Sequence, residues 1–254
     1  MDEISIKTQD EMEIMRKAGK ILANMLIELE KEIKPGIDVW ILEEKFIEMC
    51  EKENVIPSCK GYDAGGLPPF PTGLCLSINS QSVHCYPKQG VILKDGDIVS
   101  IDTVIDLQGL KVDSAICVPV GNISQEAKNL IEVTKKTLDN TTVKVKEGIR
   151  VGVLSEEMQR TAEGSGFNVL KDYAGHGIGY SMHEDPEITC YGYKEDGPVL
   201  KEGMTICIEA LVCSGNDQVD NLNAWETRMN DGGLFCIFEH TILVTKDGYE
   251  ILTK

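Results

Sequence analysis

Four acidic residues, Asp102, Asp113, Glu209 and Glu239, stand inside stretches that otherwise read as buried strands: IDTVIDLQGLKVDSA, GMTICIEA and FEHTILV. An ionised carboxylate without a partner in an apolar setting is very costly. Any fold built from these strands must therefore compensate the charge. The same segments carry almost no Lys or Arg; Lys111 is nearest, and alternation puts it on the side of Asp113. One lysine cannot balance four carboxylates. With His176, in GHGIG, the acids make a set of metal-ligand type, and a pair of divalent cations would supply the missing charge.

The first pair suggests a geometry. Residues 98–106 and 111–118 read as strands around a turn at Leu107–Leu110 that contains Gly109. A hairpin pairing Ile105 with Leu110 also sets Asp102 directly against Asp113. Opposed carboxylates have Cβ atoms roughly 5 Å apart and repel each other, and a metal would turn that repulsion into a chelate. The plainer alternative is that one aspartate sits at a bulge and faces water.

Composition narrows the function classes. The chain has 254 residues, 42% of them apolar, enough for a substantial core. A net charge of −17 argues against a broad electrostatic grip on nucleic acid or an anionic membrane. No apolar run approaches the ~18 residues of a membrane span. The acidic, polar start MDEISIKTQDEMEIM is unlike a signal peptide. Nine cysteines without a CxxC pair point to reduced thiols in a cytoplasmic protein rather than a disulfide framework.

Two internal echoes organise the chain. KPGIDVWILEEK (34–45) resembles KEGIRVGVLSEE (146–157), and LKDGDIVSID (93–102) resembles LKEGMTICIE (200–209). The second echo aligns Asp102 with Glu209. Two echoes in the same order suggest halves of roughly 1–120 and 121–254, related by a pseudo-twofold axis within a single domain, with acids from each half meeting between them. Helices are expected at 9–31, 38–53 (N-cap Asp38), 124–142 (N-cap Ser124) and 151–164. Strands are expected at 74–79, 98–106, 111–118, 168–173, 204–212 and 235–244, with loops at 64–73 and 214–233. The reading is an α/β (α+β) fold in which helices cover curved antiparallel sheets.

The order and spacing of NSQSVHCYP (79–87), DGDIVSID with Asp113, GHGIGYSMHEDP (175–186), GMTICIEA (203–210) and FEHTILVT (238–245) carry a more specific signal. Over nearly its whole length the chain resembles the type I methionine aminopeptidases of the pita-bread fold. The resemblance implies a dinuclear metallo-exopeptidase that removes the initiator methionine from nascent proteins when the second residue is small. Asp102 would chelate one metal, His176 and Glu209 the other, and Asp113 and Glu239 would bridge both. Two divalent ions are implied, from among Co, Mn, Fe(II), Zn and Ni. A shared water, deprotonated near neutral pH, would attack the scissile carbonyl, with Glu209 as proton shuttle. His84 would contact the scissile amide and His183 the developing oxyanion. Alternation sends His240 to the opposite face from Glu239, as a structural residue.

The same resemblance implies a methionine pocket lined by Cys59, Tyr62, Phe70, Cys75, Met182 and Trp225, types that suit a thioether. It implies nascent N-termini beginning with Met as partners, a transient ribosome association, a monomer and a cytoplasmic location. The chain departs from the family pattern at Cys85 (usually glycine), Ala210 (usually proline), Ile237 (usually glutamine) and in a longer loop at 63–73. Cys85 and the loop bear on pocket shape, and a free thiol near metals would bring oxidant sensitivity. A prolidase or Xaa-Pro aminopeptidase of the same fold would carry an extra N-terminal domain, whereas the first echo begins by residue 34. A non-enzymatic binding relative would have lost ligands, and all five are present here.

Overall fold

Thr8 opens the first helix with a reciprocal cap: its hydroxyl accepts the Glu11 N–H, and the Glu11 carboxylate accepts the Thr8 N–H. In this computed structural model, which describes residues 4–254, that helix is α1 (Gln9–Glu30), followed by α2 (Trp40–Glu53). Next come β1 (Ile56–Pro57), β2 (Cys75–Ile78), β3 (Ile98–Leu107) and β4 (Leu110–Pro119). The second half holds α3 (Gln125–Thr142), α4 (Val151–Glu163), β5 (Asn168–Val169), β6 (Ala174–Gly177) and β7 (Glu184–Thr189). It closes with β8 (Thr205–Cys213), β9 (Val219–Asn221), β10 (Thr227–Met229), β11 (Phe235–Val244) and β12 (Tyr249–Ile251). Ten strands form one antiparallel sheet, with the path β1-β3-β4-β11-β8-β6-β7 at its centre.

The apolar stripe of α1 is buried as its spacing predicts, at Met12, Met15, Ala18, Leu22, Met25 and Leu29. Together with α2 it covers the β3–β4 part of the sheet, and α3 with α4 covers the β8–β11 part, giving two hydrophobic clusters. Ser124 caps α3 as expected. Asp38 does not occupy the N-cap of α2, because the helix starts at Trp40; its carboxylate nevertheless accepts the Trp40 N–H at 3.0 Å.

The echoes correspond to equivalent backbone latches. Gly36 donates to the Leu93 carbonyl and Leu93 to Ile37; Gly148 donates to Leu200 and Leu200 to Ile149. Gly36 and Gly148 have φ of +91° and +88°, the left-handed region that an L side chain rarely adopts. The latches precede α2 and α4 and lead toward β3 and β8, so the echoed segments make the same backbone contacts.

Three expectations need correction. The β3–β4 hairpin closes with Leu107 opposite Leu110 around Gln108–Gly109, both at positive φ. This two-residue turn matches strand twist better than the longer loop implied by pairing Ile105 with Leu110. Asp102 therefore faces Ala115, and Asp113 faces Val104. A shift of two residues preserves side-chain direction, so both aspartates stay on one face as diagonal neighbours. The expected strand at 168–173 shrinks to β5; β6 and β7 follow it, in Gly- and Pro-containing sequence that lacks alternation. The expected loop at 214–233 contains the β9–β10 hairpin. Among the described residues no helix is long and apolar enough to cross a membrane, and all nine cysteines are free and buried.

Candidate metal centre and adjoining cavity

Antiparallel pairing sets four residues in one row across the sheet. Asp102 on β3 faces Ala115 on β4, Ala115 faces Glu239 on β11, and Glu239 faces Glu209 on β8. Paired residues project to the same side, so three carboxylates line one face with the small Ala115 side chain between them. Asp113 lies two residues from Ala115 on the same face. Thr241 fixes its backbone, accepting the Asp113 N–H at 2.9 Å and donating to its carbonyl at 2.8 Å.

His176 extends the group from β6, beside β8. A Cβ at Gly175 would lie 2.3 Å from the Cys207 carbonyl oxygen, and one at Gly177 would lie 2.2 Å from that of Asp185. The glycines of GHGIG thus allow the backbone approach that brings His176 to the acids. Its Nδ1 lies 2.8 Å from the Gly177 carbonyl, which can only accept. The ring proton is therefore on Nδ1, and the Nε2 lone pair is free to ligate. Nε2 lies 3.5 Å from Glu209 and 3.9 Å from Asp113.

Buried Asp113 Oδ1 and Glu239 Oε1 have no hydrogen-bond partner among the described residues. Lys111 does not answer them: it bonds Asp106 at 2.9 Å and the Tyr180 carbonyl at 3.1 Å. Burial pushes Asp102 up to about 6, offset in part by a hydrogen bond from Asp113. Burial, then neighbouring carboxylates, raises Asp113, Glu209 and Glu239 well above the usual range. Burial likewise lowers His176 to about 4. One ligand atom each from Asp113, His176, Cys207 and Glu239 lies within 4.8 Å of the others. Orphaned oxygens, mutual repulsion and an available imidazole nitrogen fit divalent cations, and the oxygen-rich donor set suits first-row metals. Cys207 was missed by the sequence reading, although strand alternation from Glu209 places it on the same face.

These shifts predict how the metal-free protein responds to pH. A carboxyl group that keeps its proton in the fold but loses it on unfolding makes stability fall as pH rises above the unfolded value, about 4. His84, His176 and His240, lowered to about 4 by burial, act oppositely, but only up to about pH 6.5. Asp102, raised to about 6, contributes its loss of stability between about pH 4 and 6, where the histidines oppose it. A divalent ion, by offsetting the repulsion among the acids, should raise the melting temperature of the chelated protein. A melting temperature that metal leaves unchanged would remove the case for cation binding.

A cavity of about 180 Å³ adjoins the acids. All six expected lining residues, Cys59, Tyr62, Phe70, Cys75, Met182 and Trp225, border it, together with Asp102, Asp113, His84 and His183. Ala64 and Val104 also line it and were not anticipated; Val104 follows Asp102 by two residues on the same face. The long loop forms one wall. The Trp225 indole donates to the Pro68 carbonyl at 2.7 Å, and Phe70 meets Trp225 edge to face. Cys85 does not reach the cavity; its thiol is fully buried and donates to the Thr227 carbonyl at 3.2 Å. His84 has φ of +61° and meets Tyr173 and Trp225 edge to face. His183 lies 4.5 Å from His176, ring centre to ring centre, and its Nδ1 lies 2.9 Å from the Tyr62 hydroxyl. Desolvation in the cleft lowers the His183 pKa. Buried Lys7 pairs with Glu184 at 2.8 Å, and Glu184 accepts the Ser181 N–H, fixing the loop that carries Met182 and His183. His240 turns away, 3.0 Å from the Thr253 hydroxyl, as expected of a structural residue.

The profile of metallopeptidase family M24 matches residues 13–246. The chain belongs to that family. It is 42% identical to methionine aminopeptidase 1 of Bacillus subtilis (strain 168), covering 99% of both chains. It is 34% identical to the methionine aminopeptidase of Escherichia coli (strain K12), covering 98% of this chain and 94% of that one. The crystal structure of methionine aminopeptidase from Thermotoga maritima superposes with a TM-score of 0.95 at 42% identity, covering 99% of this chain and 100% of the other. These full-length relatives place this M24 peptidase in the methionine aminopeptidase branch of the family. Prolidase from Pyrococcus furiosus shares the fold, with a TM-score of 0.74 at 22% identity, and this chain spans 65% of it.

Proposed function

We propose that this M24 peptidase removes the initiator methionine from new polypeptides with two divalent ions held by Asp102, Asp113, His176, Glu209 and Glu239. The observation carrying the proposal is that the clustered acids adjoin a cavity of soft and aromatic side chains, with Asp102 and Asp113 among its lining. Asp102 would hold one ion and His176 with Glu209 the other, with Asp113 and Glu239 serving both. Mn, Fe(II) or Co suits this set, and Zn or Ni is also accommodated. When bound, such ions supply Lewis acidity and make water a nucleophile near neutral pH.

The protein's own groups do the rest. The methionine side chain fills the cavity among Cys59, Tyr62, Phe70, Cys75, Met182 and Trp225. Its free α-amine then lies beside the carboxylates, which restricts removal to one N-terminal residue. Glu209 takes a proton on its carboxylate from the attacking water and delivers it to the leaving nitrogen. His84 contacts the scissile amide, and His183 donates a hydrogen bond to the developing oxyanion. The whole chain acts as one catalytic unit built from halves 1–120 and 121–254. It works as a monomer in the cytoplasm and contacts the ribosome transiently.

Turnover on Met-Ala-Ser, Met-Lys and Xaa-Pro peptides, with metal content measured in parallel, tests this reading. The expected order is rapid cleavage of Met-Ala-Ser, little of Met-Lys and none of Xaa-Pro. Preference for Xaa-Pro would assign a prolidase activity instead. Full metal loading with no hydrolysis of any peptide would leave a binding role.

A further inference from the structure

Tyr62 stands at the root of the long loop, and the backbone there is pinned on both sides. Gly61 donates to the Phe70 carbonyl at 2.8 Å, Phe70 donates to the Tyr62 carbonyl at 3.0 Å, and the Tyr62 N–H reaches Cys59 at 3.0 Å. The ring is thereby held edge to face against His183, with centroids 5.5 Å apart and an interplanar angle of 76°. Its hydroxyl lies 2.9 Å from His183 Nδ1 and makes no other hydrogen bond among the described residues. A neutral imidazole has one donor and one acceptor nitrogen, so the partner of Nδ1 decides the role of Nε2. If Nδ1 carried the proton, Nε2 would be an acceptor and could not stabilise negative charge.

We propose that Tyr62 is a positioning residue for His183, its hydroxyl donating to Nδ1 so that the Nε2–H remains as the hydrogen-bond donor on the cleft side. The inference rests on the reading of His183 as the donor to the oxyanion. It gives the root of the loop at 63–73 a part in the reaction, because Tyr62, tied to that loop through Phe70, sets the proton position on a catalytic imidazole.

Tyr62→Phe removes the hydroxyl and keeps the ring against Trp225 and His183. Deleting an oxyanion donor outright typically costs about 100- to 1000-fold in turnover. Loss of the group that orients such a donor should cost less, about tenfold in kcat, with KM within about twofold. The chain has only four histidines, so ring-15N labelling of the zinc-loaded enzyme can resolve each. His183 should show a hydrogen-bonded acceptor Nδ1 and a protonated Nε2, and the Nδ1 signal should move to a non-bonded position in Tyr62→Phe. A proton on Nδ1 in the unmodified enzyme overturns the proposal, as does wild-type kcat in Tyr62→Phe. A rise in KM alone would make Tyr62 only a wall of the methionine cavity and overturns it too. Wild-type turnover in His183→Ala would instead defeat the oxyanion reading, while the nitrogen spectrum still decides the tautomer.

Discussion

Asp113→Asn should lose at least one bound metal and more than about 100-fold of its turnover, since removing even an outer-shell partner of a ligand costs about 10- to 100-fold. Asp113 is 6% exposed, and one of its oxygens has no partner among the described residues. The amide keeps the shape and the backbone bonds to Thr241, but it removes a negative charge and turns an N–H₂ group into a site built for cations. The change should not unfold the protein. In the metal-free state burial favours the protonated form of Asp113, the form an asparagine most nearly imitates. The melting temperature of chelated Asp113→Asn should therefore match that of chelated wild type, while the rise on adding metal shrinks. Metal per chain after dialysis, melting temperature and turnover on Met-Ala-Ser together decide the matter. Two tightly held ions and full activity in the variant would end the bridging assignment.

His176→Ala and His183→Ala should fail in different ways. The proton on His176 Nδ1 is committed to the Gly177 carbonyl, and its Nε2 faces Glu209 and Asp113. Removing it takes away a ligand, so affinity for metal should drop and excess metal should partly restore turnover. His183 lines the cavity next to His176 but bonds Tyr62. Its loss should leave metal content near wild type and lower turnover about 100- to 1000-fold, the usual cost of one oxyanion donor. Metal titration of the two variants separates the roles. Rescue of His183→Ala and not of His176→Ala would reverse them, and unchanged turnover in both would favour a binding function.

The cluster of acids was legible because charge inside apolar strands is a strong anomaly. Even the wrong hairpin register left Asp102 and Asp113 on one face, since the error was an even number of residues. Ala115 gave no signal: an alanine in a strand looks like ordinary core, and its importance as the small member of the carboxylate row comes only from pairing with both β3 and β11. β6 and β7 were invisible for a similar reason. Gly175 and Gly177 are required by the closeness of β8 and Asp185, a tertiary demand that erases the alternation by which strands are recognised. Lys111 misled in a smaller way, because its side of the strand was inferable but its partner, Asp106, was not. The pocket residues came from resemblance alone. Their convergence depends on the loop at 63–73 folding back onto Trp225, a long-range contact with no local pattern.

The carboxylate row also sets a timetable for the protein's own synthesis. Asp102 and Ala115 belong to strands made before the chain is half complete, whereas Glu209 and Glu239 lie on β8 and β11, the latter ending at Val244 of 254 residues. Until β11 inserts between β4 and β8, no row exists and the aspartates have no glutamate neighbours. A growing chain on the ribosome therefore presents a partly built, acid-bearing sheet edge from the completion of β4 until β11 is made. It becomes able to trap metal only once β11 has left the exit tunnel. An enzyme whose work begins on the first residue of other nascent chains thus completes its own acid row only with its last long strand.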